Sequence, residues 1–282
     1  RLVITFFTIP RPFEGLHKII QRNAILSWKK LQPKCQILVF GDDPSISKFC
    51  NEHNLSYINS FKTNEYGTPL LDGIWKTAID MSAHTKICYI NTDIILFRNF
   101  TKKLSKINLD NYFVAGRRWD LNIDSYINFD SDWEKNVYDL IDSEGSLHPS
   151  TGVDYFLFTR EIMPKMPPFA IGRAWWDNWL ITHFINNKIP VIDGTIIPSV
   201  HQNHDYSHIK SANGATTNKG FEREINKHIA NLNFWQLKDI SDSPYILHEE
   251  GIKRNTFLNK IIRIYQRYIL GSFVFILKKI RQ

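Results

Sequence analysis

The chain has 282 residues, 43% of them hydrophobic and 13% aromatic, which is enough for one large α/β domain with a sizeable core. Its formal net charge of +7 favours anionic partners such as nucleotide diphosphates, acidic lipid surfaces or nucleic acid. Three cysteines without metal-binding spacing exclude a disulfide framework, so a reducing compartment is favoured.

The first sixty residues alternate between two patterns. Apolar runs over residues 2–7, 36–40 and 55–58 predict buried strands. Helical spacing over 17–31 and 45–54 predicts helices between them, the second with Ser45 at its N-cap. This β-α-β-α-β order indicates a parallel sheet with right-handed crossovers.

A third helix is predicted before the next strand. Pro69 suits its first turn, and the helical pattern runs to about Ala83. Asp72 and Lys76 lie four residues apart on one face of this helix, so we expect them to pair at the surface.

The most informative stretch is the apolar run 87–90, which is followed at once by Asn91-Thr92-Asp93. Such a run indicates a strand buried on both faces, and open α/β sheets bind ligands just beyond the carboxyl ends of their strands. Asp93 offers a hard oxygen ligand for Mg²⁺ or Mn²⁺, and Asn91 offers a neutral one. The alternative is that these residues only form a turn.

This triplet resembles the DxD motif of GT-A glycosyltransferases, with Asn91 where the motif has its first Asp. The resemblance covers about residues 1–208 and implies a GT-A-like α/β fold, with a mixed, mainly parallel sheet flanked by helices. It also implies a nucleotide-sugar donor whose diphosphate is held through Mn²⁺ or Mg²⁺ at Asn91 and Asp93. Further donor contacts are implied at Thr8, Pro10, Arg11, Asp42, Asp72 and Thr92. The alternative for these positions is ordinary loop and surface chemistry.

Two later segments add candidates. The strand predicted over 112–120 has a polar end, where Arg117 and Arg118 would neutralise phosphate or bind an acidic acceptor. A following segment resembles the part of glycogenin-like enzymes that seats the sugar, and Gly152 would permit close backbone approach there. Asp154 is a single acid in an apolar run, so it is either a catalytic group at the mouth of a strand or a charge paired in the core.

The span around Asp177 is rich in tryptophan. Trp175 and Trp176 are predicted to stack on acceptor sugar rings. In inverting GT-A enzymes a late carboxylate is the general base, and the resemblance assigns that role to Asp177. The alternative is that Asp177 caps the following helix while the tryptophans are core residues. If the reaction retains configuration, Asp154 or Asp177 faces the sugar instead.

Histidines after an apolar strand complete the predicted metal site. Many GT-A enzymes use a histidine near the end of the domain as an additional metal ligand. The resemblance therefore implies His201 as a ligand, with His204 second and His208 third, and the alternative is that they are surface histidines.

The remaining sequence predicts a closing loop over 212–220 and a helix over 222–231, both within a domain of residues 1–251. Residues 252–282 alternate basic and large apolar side chains, which predicts a basic amphipathic helical tail. We expect this tail to bind an anionic membrane surface, with packing on the domain as the alternative. Its apolar runs are too short to span a bilayer.

Together these features predict a metal-assisted glycosyltransferase that moves a sugar from a nucleotide-sugar to a hydroxyl of a glycan or glycolipid acceptor, with no nucleic-acid partner. The expected location is cytoplasmic, with peripheral attachment to the inner face of a membrane as a further hypothesis and an upstream targeting segment left open. One rival is a nucleotidyltransferase, although the Gly-rich basic signature expected after the first strand is missing. The other is a non-catalytic module that binds carbohydrate or a membrane surface. The presence of Asn91 where the DxD motif has its first Asp favours this alternative.

Overall fold

A computed structural model describes residues 2–204, 220–256 and 261. His208, the predicted loop as far as residue 219 and nearly all of the predicted tail therefore lie outside the described residues.

In the described parts of the chain, thirteen strands form two sheets. The strands are β1 Ile4–Thr8, β2 Gln36–Phe40, β3 Ser56–Ile58, β4 Lys86–Ile90, β5 Ile94–Leu96, β6 Phe113–Ala115, β7 Trp119–Leu121, β8 Ser146–Leu147, β9 Tyr155–Thr159, β10 Val191–Asp193, β11 Ser199–Gln202, β12 Tyr245–His248 and β13 Gly251–Arg254. The nine-stranded main sheet has the order β13-β12-β10-β6-β9-β4-β1-β2-β3, and the small sheet has the order β5-β11-β7-β8. In the main sheet β9 runs antiparallel to β4 and β6, and β13 runs antiparallel to β12, while the other pairs are parallel.

Helices cover both faces of the main sheet. They are α1 Gly15–Lys29, α2 Pro44–His53, α3 Leu71–Met81, α4 Phe100–Leu104, α5 Trp133–Glu144, α6 Trp176–Asn186 and α7 Phe221–Ala230. The predicted fold class, an α/β domain with a mixed, mainly parallel sheet flanked by helices, is confirmed.

Successive residues of β1 show how the two layers of the core are divided. Phe6 faces one side of the sheet, where it packs with Trp28 of α1 and Phe100 of α4. Phe7 faces the other side, where its ring meets Trp75 of α3 edge to face at 4.7 Å between centroids. This alternation follows from strand geometry, and it leaves the ends of the strands as the place where polar residues gather.

Some local predictions were wrong. The N-cap of α2 is Asp43 and not Ser45, because the Asp43 carboxylate accepts the Ser45 amide at 2.8 Å. Helix α3 begins at Leu71, whereas Pro69 forms an isolated bridge with Thr63.

The predicted surface pair of Asp72 and Lys76 was also wrong. The Lys76 ammonium instead lies 2.5 Å from the carboxylate of Asp80, one turn further along α3.

Two predicted boundaries differ from the structure. The strand predicted over 112–120 is divided between β6 in the main sheet and β7 in the small sheet. The predicted tail is wrong at its start, because residues 251–254 form β13 and pair with β12. Within the described residues, no helix is long and apolar enough to cross a membrane.

Candidate active site

The centre of the candidate site is the end of β4, where an antiparallel neighbour brings a second polar residue. Because β9 runs against β4, its first residues lie beside the last residues of β4, and Ile90 pairs with Tyr155. The pairing continues one step beyond the strands, where the Asn91 amide donates to the Asp154 carbonyl oxygen at 2.9 Å. The triplet 91–93 and Asp154 therefore meet at one edge of the sheet.

The small sheet brings the histidines to the same place. In its register, His201 of β11 lies opposite Ile94 of β5, directly after Asp93, and opposite Asp120 of β7. Asp93 Oδ2 lies 3.1 Å from Nε2 of His204 and 3.5 Å from Nε2 of His201. We call Asp93, His201 and His204 the metal triad, because their ligand atoms lie within 4.8 Å of one another.

The chemistry of this triad fits a divalent ion. The second carboxylate oxygen of Asp93, Oδ1, is buried and has no hydrogen-bond partner among the described residues, which is costly unless something binds it. One carboxylate and two imidazoles form a donor set of the kind that holds first-row transition ions.

Opposite charges attract one another within the metal triad. Burial alone would raise the pKa of Asp93, but His201 and His204 outweigh burial and lower it below its usual value. Burial lowers the pKa of His201, but the charge of Asp93 and a hydrogen bond to Asp120 outweigh burial and raise it to about 10. His201 is therefore protonated at neutral pH, and an ion that binds its ring displaces a proton.

A second layer of residues orients His201. Asp120 Oδ1 lies 3.4 Å from His201 Nδ1, and Asp120 Oδ2 lies 2.6 Å from His148 Nδ1. Arg118 contacts the same carboxylate through Nε at 3.0 Å and also pairs with Asp154 through Nη1. A carboxylate behind a ligating imidazole fixes the orientation of the ring and raises its basicity, so Asp120 is a positioning residue for the triad.

Asn91 is held by Asp154 and Tyr89. Its Nδ2 donates to Asp154 Oδ1 at 2.6 Å, and its Oδ1 accepts the Tyr89 hydroxyl at 2.9 Å. Both polar atoms of Asn91 thus make hydrogen bonds to residues outside the metal triad, and its role as a metal ligand stays a prediction. Of the alternatives weighed for Asp154, the structure shows pairing with Arg118 at the mouth of the strand, with 7% of the residue exposed.

A pocket of about 490 Å³ opens in front of the triad. Among the sequence-predicted residues, those that line it are Pro10, Arg11, Asn91, Thr92, Asp93, Arg118, Gly152, Asp154, Trp176, Asp177, His201 and His204. His148 and Arg173, which were not predicted, add to the lining. Gly152 is required beside His148, because a Cβ on Gly152 would lie 2.1 Å from the His148 ring.

Asp177 lies on the wall of this pocket, in the first turn of α6. Burial raises the pKa of Asp177 to about 6, the Asp154 charge adds to the rise, and the Asn178 amide opposes it. Its Oδ1 accepts that amide at 2.8 Å, a contact to the next residue within the first turn; the N-cap of α6 is Trp175, so Asp177 does not cap the helix as the alternative expected. The preceding Trp175 has φ 94°, a strained conformation for a non-glycine residue of the kind that costs about 1–3 kcal/mol and clusters at functional sites.

The structure does not bring every predicted residue to the pocket. Thr8 is fully buried and its hydroxyl donates to the Ile90 carbonyl at 2.6 Å, so it acts within the sheet. Asp42 is exposed at the end of β2, and Asp72 lies in α3 with a buried, unpartnered Oδ1; neither lines the pocket.

The three acceptor candidates are also placed differently from the prediction. Trp175 and Trp176 are each only 6% exposed and belong to the core, although Trp176 touches the pocket, so neither offers a free ring face for stacking. Arg117 does not line the pocket, and its guanidinium donates to the carbonyls of Leu147 and His148.

Sequence reasoning missed the roles of Asp120 and His148 and the link from Arg118 to Asp154. Arg118 and Asp120 lie at the polar end of the strand predicted over 112–120, whereas His148 lies ahead of the apolar run that contains Asp154. Their convergence on His201 depends on the pairing of β7 with β11, which no local pattern reveals.

The chain has distant structural similarity to two proteins solved with nucleotide-sugars. One is S. aureus TarS in complex with UDP-GlcNAc, at 15% identity and TM-score 0.34, covering 43% of this chain and 36% of the other. Another is the mannosyltransferase PcManGT from Pyrobaculum calidifontis in complex with GDP-Man and Mn²⁺, at 10% identity and TM-score 0.44, covering 72% of this chain and 58% of the other. No protein-family model and no curated protein sequence matches the chain.

The chain therefore corresponds to less than two thirds of the length of either structure. Identities of 15% and 10% with TM-scores below 0.5 carry no assignment, so any function has to be argued from the residues of the site.

The contact between Asn91 and Asp154 yields a first prediction. Asn91→Asp places two carboxylates where an amide now donates at 2.6 Å, and such a pair resists ionising twice. The folded protein then holds a proton that the unfolded chain releases, so the stability of the variant relative to wild type should fall as pH rises from 5 to 8. Urea denaturation in chelator measures this, with an expected loss on the order of 1–3 kcal/mol at pH 8.

The control is Asn91→Ala, which removes the hydrogen bond without adding a charge and should lose a similar amount of stability at both pH values. The double variant Asn91→Asp with Asp154→Asn restores one acid and one amide, and should recover part of the loss at pH 8. An Asn91→Asp variant as stable as wild type at pH 8 would contradict the proposed contact.

Proposed function

We propose that the chain is a glycosyltransferase that moves a sugar from a nucleotide-sugar donor to a hydroxyl of a glycan or glycolipid acceptor, with the help of Mn²⁺. The observation that carries this proposal is the metal triad at the end of β4, inside a pocket that also holds Asp177 and three arginines.

The donor set favours Mn²⁺ over Mg²⁺. Two imidazoles suit a transition ion, whereas Mg²⁺ prefers an all-oxygen environment, and the Asp93 carboxylate and donor phosphates suit Mn²⁺. Asp93, His201 and His204 would hold the ion, which when bound neutralises charge on the leaving diphosphate.

Three arginines on the pocket wall complement an anionic donor. Arg11 follows β1, Arg118 is held by Asp120 and Asp154, and Arg173 is held by Glu222 at 2.6 Å. Guanidinium groups fixed by carboxylates bind phosphate oxygens with little loss of side-chain freedom. Asp154 thus serves the donor side of the pocket by positioning Arg118.

Asp177 supplies the proton acceptor. A carboxylate with a pKa of about 6 is ionised at neutral pH and is more basic than an ordinary aspartate, which suits a general base. In the proposed inverting reaction it takes the proton of the acceptor hydroxyl as that oxygen attacks the sugar.

The proposal favours an enzyme over a non-catalytic module. The case for such a module rested on Asn91 in place of a metal-binding aspartate, and Asp93, His201 and His204 offer three metal ligands besides Asn91. Attachment of the basic segment after β13 to an anionic membrane surface remains part of the proposal, because that segment combines cations with large apolar side chains.

Donor hydrolysis tests this function directly. Purified protein should release nucleotide diphosphate from at least one nucleotide-sugar in a panel of UDP- and GDP-sugars, faster with Mn²⁺ than with Mg²⁺ and not at all in chelator.

Asp93→Asn should lower the rate about 10²-fold or more, since it removes the only carboxylate of the triad. The matched control is Asp124→Asn at an exposed position, which should keep the wild-type rate. Hydrolysis that persists in chelator would contradict the metal-assisted mechanism.

The role of Asp177 is tested by pH. Wild-type kcat for transfer should rise with pH through about 6 as Asp177 loses its proton. Asp177→Asn should lower kcat by roughly 10²–10⁴-fold and remove that acidic limb, with donor KM little changed.

A stability measurement distinguishes the proposed catalytic role of Asp177 from a structural role in α6. Because the pKa of Asp177 is raised in the folded protein, its ionisation lowers the free energy of unfolding of wild type as pH rises from 4 to 7. Asp177→Asn lacks this ionisation, so its free energy of unfolding should fall less over the same pH range. A variant that is less stable than wild type at pH 7 and keeps its kcat would instead assign Asp177 a structural role in the first turn of α6.

A further inference from the structure

A second concave region lies on the outer side of α1, away from the metal triad. It has a volume of about 990 Å³, twice that of the active-site pocket, and it is formed by α1, α2 and the segment 126–130. We call this region the cationic groove.

The charge of the cationic groove is strongly positive. Its lining contains five basic residues, listed as Lys18, Arg22, Lys29, Lys30 and Lys48, and two acidic ones, Glu52 and Asp130. With His53 neutral, the residues that line the groove carry a net charge of +3, compared with a net charge of +7 for the whole chain. Such a concentration of one sign focuses the field on anions.

Several of these cations are not neutralised by neighbouring acids. Within residues 2–204 and 220–256 no ion pair is found for Lys18, Arg22 or Lys48, whereas Lys30 lies 3.5 Å from Asp130. Arg22 Nη1 is buried and has no hydrogen-bond partner, which is an uncommon and costly state for a guanidinium nitrogen. Burial lowers the pKa of His53, and the positive charges of Lys29 and Arg22 lower it further.

The groove also contains an exposed aromatic ring. Tyr126 is 50% exposed, and the Arg22 guanidinium lies 4.9 Å from the centre of its ring. An exposed ring beside cations is suited to a ligand that has both an apolar ring face and negative charge.

The groove is physically joined to the metal triad through α1. Asn23 donates to the Ser125 carbonyl at 2.9 Å and accepts the Ile127 amide, which fixes the segment that forms one wall of the groove. Its Nδ2 also donates to Gln202, whose Nε2 donates to the Asp93 carbonyl at 3.1 Å. On the neighbouring turn of α1, the His17 ring lies 5.3 Å from His204.

We propose that the cationic groove binds an anionic glycan, a sugar chain bearing phosphate, sulfate or carboxylate groups, as an extended part of the acceptor. The assignment to an acceptor rests on the proposed glycosyl transfer, whereas binding of the glycan does not. Lys18, Arg22 and Lys48 contact its charged groups, and Tyr126 stacks on a sugar ring.

The size and shape of the groove favour a chain over other anions. Lys18 and Lys29 are eleven residues apart, or about 16 Å along the axis of α1, which is too far for one phosphate. A bilayer presents a broad, flat surface, whereas these cations line a concavity with a buried guanidinium nitrogen. A single exposed tyrosine provides stacking for one ring, and it does not provide the successive platforms that single-stranded nucleic acid uses.

Binding of labelled oligosaccharides tests the proposal. The probes are a sulfated heparin hexasaccharide, a carboxylated hyaluronan hexasaccharide and neutral maltohexaose, measured by fluorescence anisotropy at low and physiological salt. The groove variant is Arg22→Gln with Lys48→Gln, and a second variant carries Lys48→Gln alone at an exposed position. The matched control is Lys62→Gln with Lys102→Gln, which removes the same charge from exposed positions outside the groove.

Wild type should bind at least one anionic hexasaccharide in a salt-sensitive way and should not bind maltohexaose. The groove variant should lose about tenfold or more in affinity, Lys48→Gln a smaller factor, and the control less than about twofold. Equal losses in the groove variant and the control would overturn the proposal, because binding would then follow overall charge.

Two further probes distinguish other polyanions. If the groove variant selectively loses binding to oligo-dT or to phosphatidylglycerol vesicles while its hexasaccharide affinity is unchanged, the groove serves nucleic acid or lipid and the glycan proposal is wrong. Donor hydrolysis with water should be unchanged in the groove variant. If wild type does not hydrolyse any donor, the proposed glycosyltransferase activity is wrong. The hexasaccharide measurement would still test whether the groove binds an anionic glycan.

Discussion

A carboxylate can be buried at the end of a central strand only if positive charge meets it there. Asp93 satisfies this condition by lying against His201 and His204, and the cost of burial is offset by their attraction. The rest of the site follows from that requirement. Strand β11 and His204 just after it must lie against the end of β4, and Asp120 must stand behind His201 to hold the ring.

The cost of unpaired negative charge at this point also explains why Asn91 stands where the DxD motif has its first Asp. Asp154 already brings one negative charge to this point of the sheet, because antiparallel β9 begins beside the end of β4. A second carboxylate at position 91 would face it directly, whereas an amide donates to it. The chain therefore divides the work between two residues: Asp93 serves the triad, and Asp154 holds Asn91 and Arg118.

How much of this the sequence could reveal depends on whether a signal is local. Buried strands appear as apolar runs, so the α/β architecture and the position of Asp93 at a strand end could be predicted, as could His201 near the end of β11 and His204 just after it. The partners of Asp154 and the role of Asp120 could not, since they depend on which strands pair. Trp175 and Trp176 show a second limit, because a tryptophan in the core and one that stacks on a sugar have the same local sequence pattern. Their burial is decided by the packing of α6 on the main sheet.

Direct measurement of metal binding tests the central claim that the triad is a divalent-ion site. Titration of Mn²⁺ followed by electron paramagnetic resonance of the free ion, in the presence of UDP or GDP, should show one ion bound per chain. His201→Gln should abolish this binding, and His228→Gln, at an exposed position on α7, should leave it unchanged. Equal binding of Mn²⁺ by wild type and His201→Gln would contradict the account.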